Sequence, residues 1–326
     1  MTSRSFFLAL AFTLSALGNS AWSQEPARVP VVAILVTHAA VDDPIFNSLR
    51  AGLHQLGYEE GRNIRIEIMT AEGQLERLPG LASEMVRRKV DLIVAPNEVS
   101  TRVAMKATRT IPIVMVGGQG YDPVALGLIE SFRRPGGNVT GMYGQWSEME
   151  AKRLELLKEL LPGTSLVAVF WEGAFGRSAR AELQRNAQRL GMRLEPIEIA
   201  SAGALDAAFK TAKRKKVGAI VTLSSPLFYT SRARIGALGV QTKIPVVSPT
   251  NLGVEAGALM SYGPDIADIW TRTAYYVDRV LKGAKPGDLP IEQVSTLKLA
   301  VNLKTAKALG MTIPESILLR ADEVIR

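Results

Sequence analysis

One strand–helix pattern is written twice along this sequence. From Val31, a short apolar run (31–36, VVAILV) is followed by helical spacing over 45–56 that stops at Gly57-Tyr58. An alternating run over 64–70 (IRIEIMT), helical spacing over 78–90, an apolar run over 91–95, a helix over 100–109 and a run over 111–116 (IPIVMV) complete the set. The same order returns over 166–171 (LVAVFW), 178–190, 193–200, 204–216, 219–224, 231–241 and 244–248. The offsets are 135, 130, 128 and 133 residues for Val31 to Leu166, Ile64 to Leu194, Leu92 to Ile220 and Ile111 to Ile244. So long and steady an offset means a duplicated architecture rather than a short-period solenoid. Strands that are nearly continuous in apolar residues and separated by helices belong to parallel sheets covered on both faces. The predicted fold class is α/β, with two doubly wound parallel-sheet lobes.

The remaining chain predicts how the lobes are joined. A turn cluster over 133–138 leads to a short strand, 139–143, and Ser147-Glu148-Met149-Glu150 has the form of a capping box that opens the next helix. After the second lobe come a strand over 257–263, a helix over 265–282, a Pro/Gly-rich bend over 284–290, a last strand and a short helix stopped at Gly310. At 326 residues the chain is long enough for two cores. Crossings near 140, 258 and 290 predict a multi-strand hinge, with 24–141 and 259–290 in lobe 1 and 142–258 and 291–326 in lobe 2.

Residues 1–23 read as a leader. Arg4 supplies the positive start, 6–17 a 12-residue apolar stretch, and Ala21 and Ser23 the small residues before a cut. Twelve apolar residues are too few to span a bilayer. With no cysteine for a lipid anchor and no twin arginine, the general secretion route is expected. Cleavage after Ser23 would place the mature chain in the periplasm.

Signals for catalysis are missing. The two histidines, His38 and His54, have no metal-ligand spacing, and no Gly-x-Ser-x-Gly elbow or phosphate-binding glycine loop occurs. Zero cysteines exclude disulfides, thiolate metal sites and cysteine nucleophiles. No enzyme activity, cofactor or metal is therefore expected. The net charge of +8, or +7 without Arg4, is scattered along the chain. Its densest run, Lys213-Arg214-Lys215-Lys216, suits a solvated helix end, so no nucleic-acid partner is expected.

In open parallel sheets, ligands bind beyond the carboxyl ends of the strands, beside helix N-termini. That rule selects His38 and Asp42 after the first strand, Asn97, Ser100 and Thr101 at a helix start, and Tyr121 and Asp122 after the run over 111–116. In the second lobe it selects Trp171, Phe175, Phe228 and Asn251, with Tyr229 beside Phe228. The hydroxyls of Ser100 and Thr101 are expected to anchor a carboxylate. The aromatics, in a chain only 6% aromatic, are expected to sandwich a flat or apolar part.

Six segments also carry a resemblance: 71–95 (AEGQLERLPGLASEMVRRKVDLIVA), 122–141 (DPVALGLIESFRRPGGNVTG), 151–163 (AKRLELLKELLPG), 258–265 (ALMSYGPD), 277–290 (VDRVLKGAKPGDLP) and 299–325 (LAVNLKTAKALGMTIPESILLRADEVI). On these the chain resembles the ABC-transporter substrate-binding protein family that includes tryptophan- and tyrosine-binding members. The resemblance implies a type I periplasmic-binding fold and delivery of a small-molecule solute, by a monomer, to a permease–ATPase complex at the inner membrane. The loops at 96–98 and 248–251 depart from that family's small-residue and aromatic/acidic versions, so the solute class stays at an amino acid or similar carboxylate with a flat or apolar part. The alternatives are a secreted two-lobed enzyme with a cleft active site and a ligand-sensing partner of a membrane receptor.

Overall fold

The computed structural model describes residues 28–116, 122–144, 146–173, 175, 177–294 and 296–326. The expected leader, 1–23, lies outside them. The first half contributes β1 (Val31–Val36), β2 (Arg65–Thr70), β3 (Leu92–Ala95), β4 (Ile113–Met115) and β5 (Val139–Tyr143). The second contributes β6 (Leu166–Trp171), β7 (Arg193–Glu198), β8 (Ala219–Thr222), β9 (Val246–Ser248) and β10 (Met260–Pro264). The chain then adds β11 (Glu292–Gln293), β12 (Leu297–Asn302) and β13 (Glu323–Ile325).

These strands make two sheets, ordered β11-β5-β4-β3-β1-β2 and β13-β12-β10-β9-β8-β6-β7. Pairing is parallel throughout except between β10 and β12. Apolar runs explain the central strands, because both faces of each sheet are covered. From β1, Val32, Ile34 and Val36 join Phe46, Leu49 and Trp270 on one face, while Val31, Ala33 and Leu35 join Leu78, Ala82 and Met85 on the other. Each of the larger side chains contributes about 1.5–3 kcal/mol by leaving water. The edge strand β2 is half-buried along most of its length, as its alternation predicts.

Helix Phe46–Gln55 buries Phe46, Leu49, Gly52 and Leu53, one stripe at helical spacing. It ends where Gly57 takes φ +89°, a left-handed conformation that favours glycine. Gly52 faces helix Ile266–Leu281 so closely that a Cβ would stand 2.7 Å from the Thr271 carbonyl oxygen and 2.8 Å from the Ala274 Cβ. That helix belongs to the first lobe's core through Ile269, Trp270, Ala274 and Val277, although it follows a strand of the second sheet. The converse holds for helix Trp146–Leu160. It follows β5 of the first sheet and packs Leu154, Leu157 and Leu160 into the second lobe's core.

The helices fall in the lobes that the sequence-based boundaries gave them, but the strands at the crossings do not. Strand β10, placed with lobe 1 in the range 259–290, is a member of the second sheet, and β11 is a member of the first. The chain crosses between the sheets after β5, β10 and β11, a few residues later at each point than the sequence suggests. Of the expected capping box, Ser147 lies one residue inside the helix and its side chain outside the described residues. The helix already begins at Trp146, and Glu150 is buried against Arg153 at 2.6 Å. Arg153 Nε in turn donates to the Tyr262 carbonyl of β10 at 2.9 Å, which fixes this helix on the sheet.

Candidate functional site

All the strand ends that carry loops toward the other lobe lie at one cleft, and a cavity of about 140 Å³ occupies it. Thr37 after β1, Pro96 and Asn97 after β3, and Val116 after β4 line it from lobe 1. Ser224, Ser225, Phe228, Tyr229 and Arg232 after β8, and Pro249 and Thr250 after β9, line it from lobe 2. Phe46 and Trp270, edge-to-face with centroids 5.2 Å apart, add an apolar wall from lobe 1. The cavity also runs into lobe 2, where Ile235, Val246 and Ala258 line it.

Among the described residues, two polar contacts join the lobes across this cleft. The Tyr229 hydroxyl donates to Asp43 Oδ1 at 2.6 Å, and the same oxygen accepts the Ile45 N–H at 3.0 Å. Burial, followed by the Asp43 carboxylate, pushes the Tyr229 phenol upward, so the hydroxyl keeps its proton. His38 Nε2 stands 3.5 Å from Glu172 Oε1. Burial lowers His38 and pushes Glu172 up to about 7, against the hydrogen bonds from Ser225 and the Leu227 N–H that hold it down. Near pH 7 this is a contact between a neutral imidazole and a half-protonated acid, not a strong ion pair.

The residues selected from sequence divide sharply. Asn97 and Phe228 line the cavity. Ser100 and Thr101 do not: both are fully buried, with their hydroxyls donating to the Asn97 carbonyl at 3.0 and 2.8 Å. Asn97 Oδ1 accepts the Ser100 N–H and Ser100 Oγ accepts the Asn97 N–H, a reciprocal cap that uses the polar groups expected to hold a solute. Asp42 is exposed, and its neighbour Asp43 makes the interlobe bond instead. Asp122 is exposed and caps its own turn through the Val124 and Ala125 N–H groups. Trp171 belongs to the lobe 2 core. Phe175 is buried beside His38, ring centroids 6.5 Å apart, so both sit at the interlobe contact. Asn251 opens helix Asn251–Glu255 beside the lining residue Thr250, with Oδ1 buried and unpartnered among the described residues. Tyr121 and the glycine turn 117–120 lie outside the described residues.

Thr37, Phe46, Trp270, Arg232 and Ile235 escaped sequence selection. Phe46, Trp270 and Ile235 sit on helix faces where apolar residues read as core, and Arg232 opens a helix where a cation reads as solvated. Among the described residues no group of three or more His, Asp or Glu could hold a metal ion, and no helix is long and apolar enough to cross a membrane.

Known proteins with this architecture share more than its outline. The family model for ABC transporter substrate binding proteins matches residues 29–325. A tyrosine-binding protein from Clostridioides difficile (strain R20291) is 29% identical over 284 residues, which cover 86% of this chain and 80% of that protein. A solved ABC domain in complex with L-Trp from Streptococcus pneumoniae superimposes with a TM-score of 0.81 at 26% identity, covering 91% of this chain and 99% of that one. A ligand-free, open substrate-binding protein with adhesive properties from Clostridium difficile, at 25% identity and equal coverage, reaches only 0.62. At similar identity and coverage, the chain superimposes better on the L-Trp complex than on the open, ligand-free protein.

Proposed function

The chain belongs to the ABC transporter substrate-binding protein family, and from that premise we propose that it captures an amino acid or similar small carboxylate with a flat or apolar part in the interlobe cavity and hands it to a permease–ATPase complex. The clamp carries this reading. Tyr229 with Asp43, and His38 with Glu172, join opposite lobes around an apolar cavity lined by a few polar groups. Such contacts exist only when the lobes meet, so a solute bound between them draws the equilibrium toward the closed state. The tyrosine-binding relative and the L-Trp complex support a cargo of amino-acid size. The leader-like residues 1–23 support export by the general secretion route to the periplasm, where such a monomer meets an inner-membrane importer. The family consists of substrate-binding proteins rather than enzymes, and the reading includes no chemical step.

The test is a thermal-shift screen of refolded, ligand-stripped protein against amino acids and small carboxylates, followed by X-ray scattering. A ligand at 100 times its dissociation constant adds about 2.7 kcal/mol and should shrink the radius of gyration. Scattering curves that superimpose with and without every hit, or a screen with no hit, would overturn the reading.

A further inference from the structure

Charge is distributed unevenly around the cavity, and on the reading that this cleft binds a solute the imbalance narrows its class. Arg232 is the one formally charged side chain among the described residues that line the cavity. It is half-buried, its guanidinium carbon lies 4.4 Å from the Tyr229 ring centroid, and one N–H goes to the Tyr229 carbonyl at 2.8 Å. No salt bridge to it and no further hydrogen bond from it occur among the described residues, although the Glu255 carboxylate lies near enough to feel its charge, so most of a five-donor fork is left for a ligand. The described lining has no matching anionic site. Among the described residues no Asp or Glu lines it. The two acids nearest the closure are engaged across it, Asp43 by Tyr229 and Glu172 by His38. Ile235 lies one helical turn beyond Arg232, so the fork and the apolar recess share one helix face.

We infer that the solute is an apolar monoanion, a carboxylate without an ammonium group, whose charged end meets Arg232 and whose hydrocarbon body lies against Ile235, Val246 and Ala258. A carboxylate fits the guanidinium fork, whereas a zwitterion would bury its ammonium with no acid in the described lining to receive it.

The experiment is calorimetry on ligand-stripped protein with three probes that share one phenyl body: 3-phenylpropanoate, L-phenylalanine and 2-phenylethylamine. 3-Phenylpropanoate should bind at least about tenfold more tightly than L-phenylalanine, and 2-phenylethylamine more weakly than either. Arg232→Gln should lose at least about tenfold for 3-phenylpropanoate and leave 3-phenylpropan-1-ol unchanged, which separates charge recognition from bracing of the Tyr229 ring. L-Phenylalanine binding as tightly as 3-phenylpropanoate, or an Arg232→Gln variant with unchanged affinity for the carboxylate, overturns the inference and leaves the cleft reading standing. Binding of none of the probes also overturns it. Only an empty result in the broader screen removes the cleft reading as well.

Discussion

Asn97 and Ser225 occupy the same step of the duplicated pattern, 128 residues apart, and do the same local job. Each succeeds a buried strand in extended conformation and caps the next helix by accepting the N–H three residues on, at 2.9 Å from Ser100 and 3.1 Å from Phe228. Beyond the cap the two lobes diverge. In lobe 1 the cap opens directly into helix Glu98–Ala107, and the hydroxyls of Ser100 and Thr101 turn back onto Asn97. In lobe 2 the cap opens a five-residue helix, Pro226–Thr230, before the long helix Arg232–Thr242 begins. That extra turn carries Tyr229 to the opposite lobe and Arg232 to the cavity. One fold thus yields a passive face and a reaching face, and the difference is made by a single short insertion rather than by the sheets.

The loops after β1 and β6 form a second such pair, with Thr37 and His38 opposing Glu172, and here the largest effect is expected. Burial raises the Glu172 carboxyl from 4.5 to about 7. The folded state therefore holds a proton that the unfolded chain releases. Its contribution is fully present below about pH 4.5 and is lost as pH rises to about 7, by up to about 3 kcal/mol at about 1.4 per pH unit. His38, lowered by burial, acts oppositely: its contribution is present above pH 6.5 and is lost as pH falls through its folded value. Glu172→Gln should thus melt higher than the parent at pH 8 and lose that advantage by pH 4.5. His38→Asn should lessen the loss of stability on the acid side. Parallel melting curves across pH for Glu172→Gln and the parent would break the idea that this contact is strained at neutral pH.

Next in size is the reaching contact itself. Tyr229→Phe removes a hydrogen bond to a carboxylate that exists only between lobes, worth about 1.5–3 kcal/mol, so affinity for a screened ligand should fall by about tenfold or more. The lobes do not need this bond to fold, so the melting temperature of the ligand-free, open protein should stay near the parent's. A variant that melts lower yet binds as before would make Tyr229 a packing residue.

The contrast between the faces also explains what could be read in the sequence. The apolar runs of β1, β3, β6 and β8 and their near-constant offset were legible because burial on both faces demands them. The sheet membership of β10 and β11 was not, since a short strand at a crossing records that it is paired and not which sheet pairs it. At the site, the helix start after Asn97 was legible, but a Ser or Thr there serves a cap or a solute equally well until its hydroxyl is located. Helices Pro226–Thr230 and Asn251–Glu255 are too short to show a period, so the segment that carries Tyr229 read as loop, while Arg232 fell within the helix expected over 231–241. Asp42 and Asp43 are adjacent, and only the fold distinguishes the exposed acid from the one that Ile45 and Tyr229 hold.

The smallest expected effects come from removing hydroxyls at the two equivalent helix starts, the Ser225 cap itself and the half of the lobe 1 cap that Ser100 returns to Asn97. Ser100→Ala with Thr101→Val deletes hydroxyls that bond only to Asn97, and Ser225→Ala deletes the one that caps Phe228 and supports Glu172. Loss of a cap costs about 1 kcal/mol of stability, so both proteins should melt a few degrees lower and by similar amounts. Their binding should differ. The lobe 1 hydroxyls are fully buried away from the cavity, and their loss leaves its lining unchanged. Ser225 lines the cavity, and removing a neutral hydrogen-bonding group there, at about 0.5–1.5 kcal/mol, should weaken binding by about two- to tenfold. Calorimetry on both variants, beside their melting curves, resolves the two effects. If the lobe 1 pair weakens binding as much as Ser225→Ala does, then Ser100 or Thr101 reaches the solute after all. The helix after Asn97 would then be an anchor, and the division into passive and reaching faces would fail.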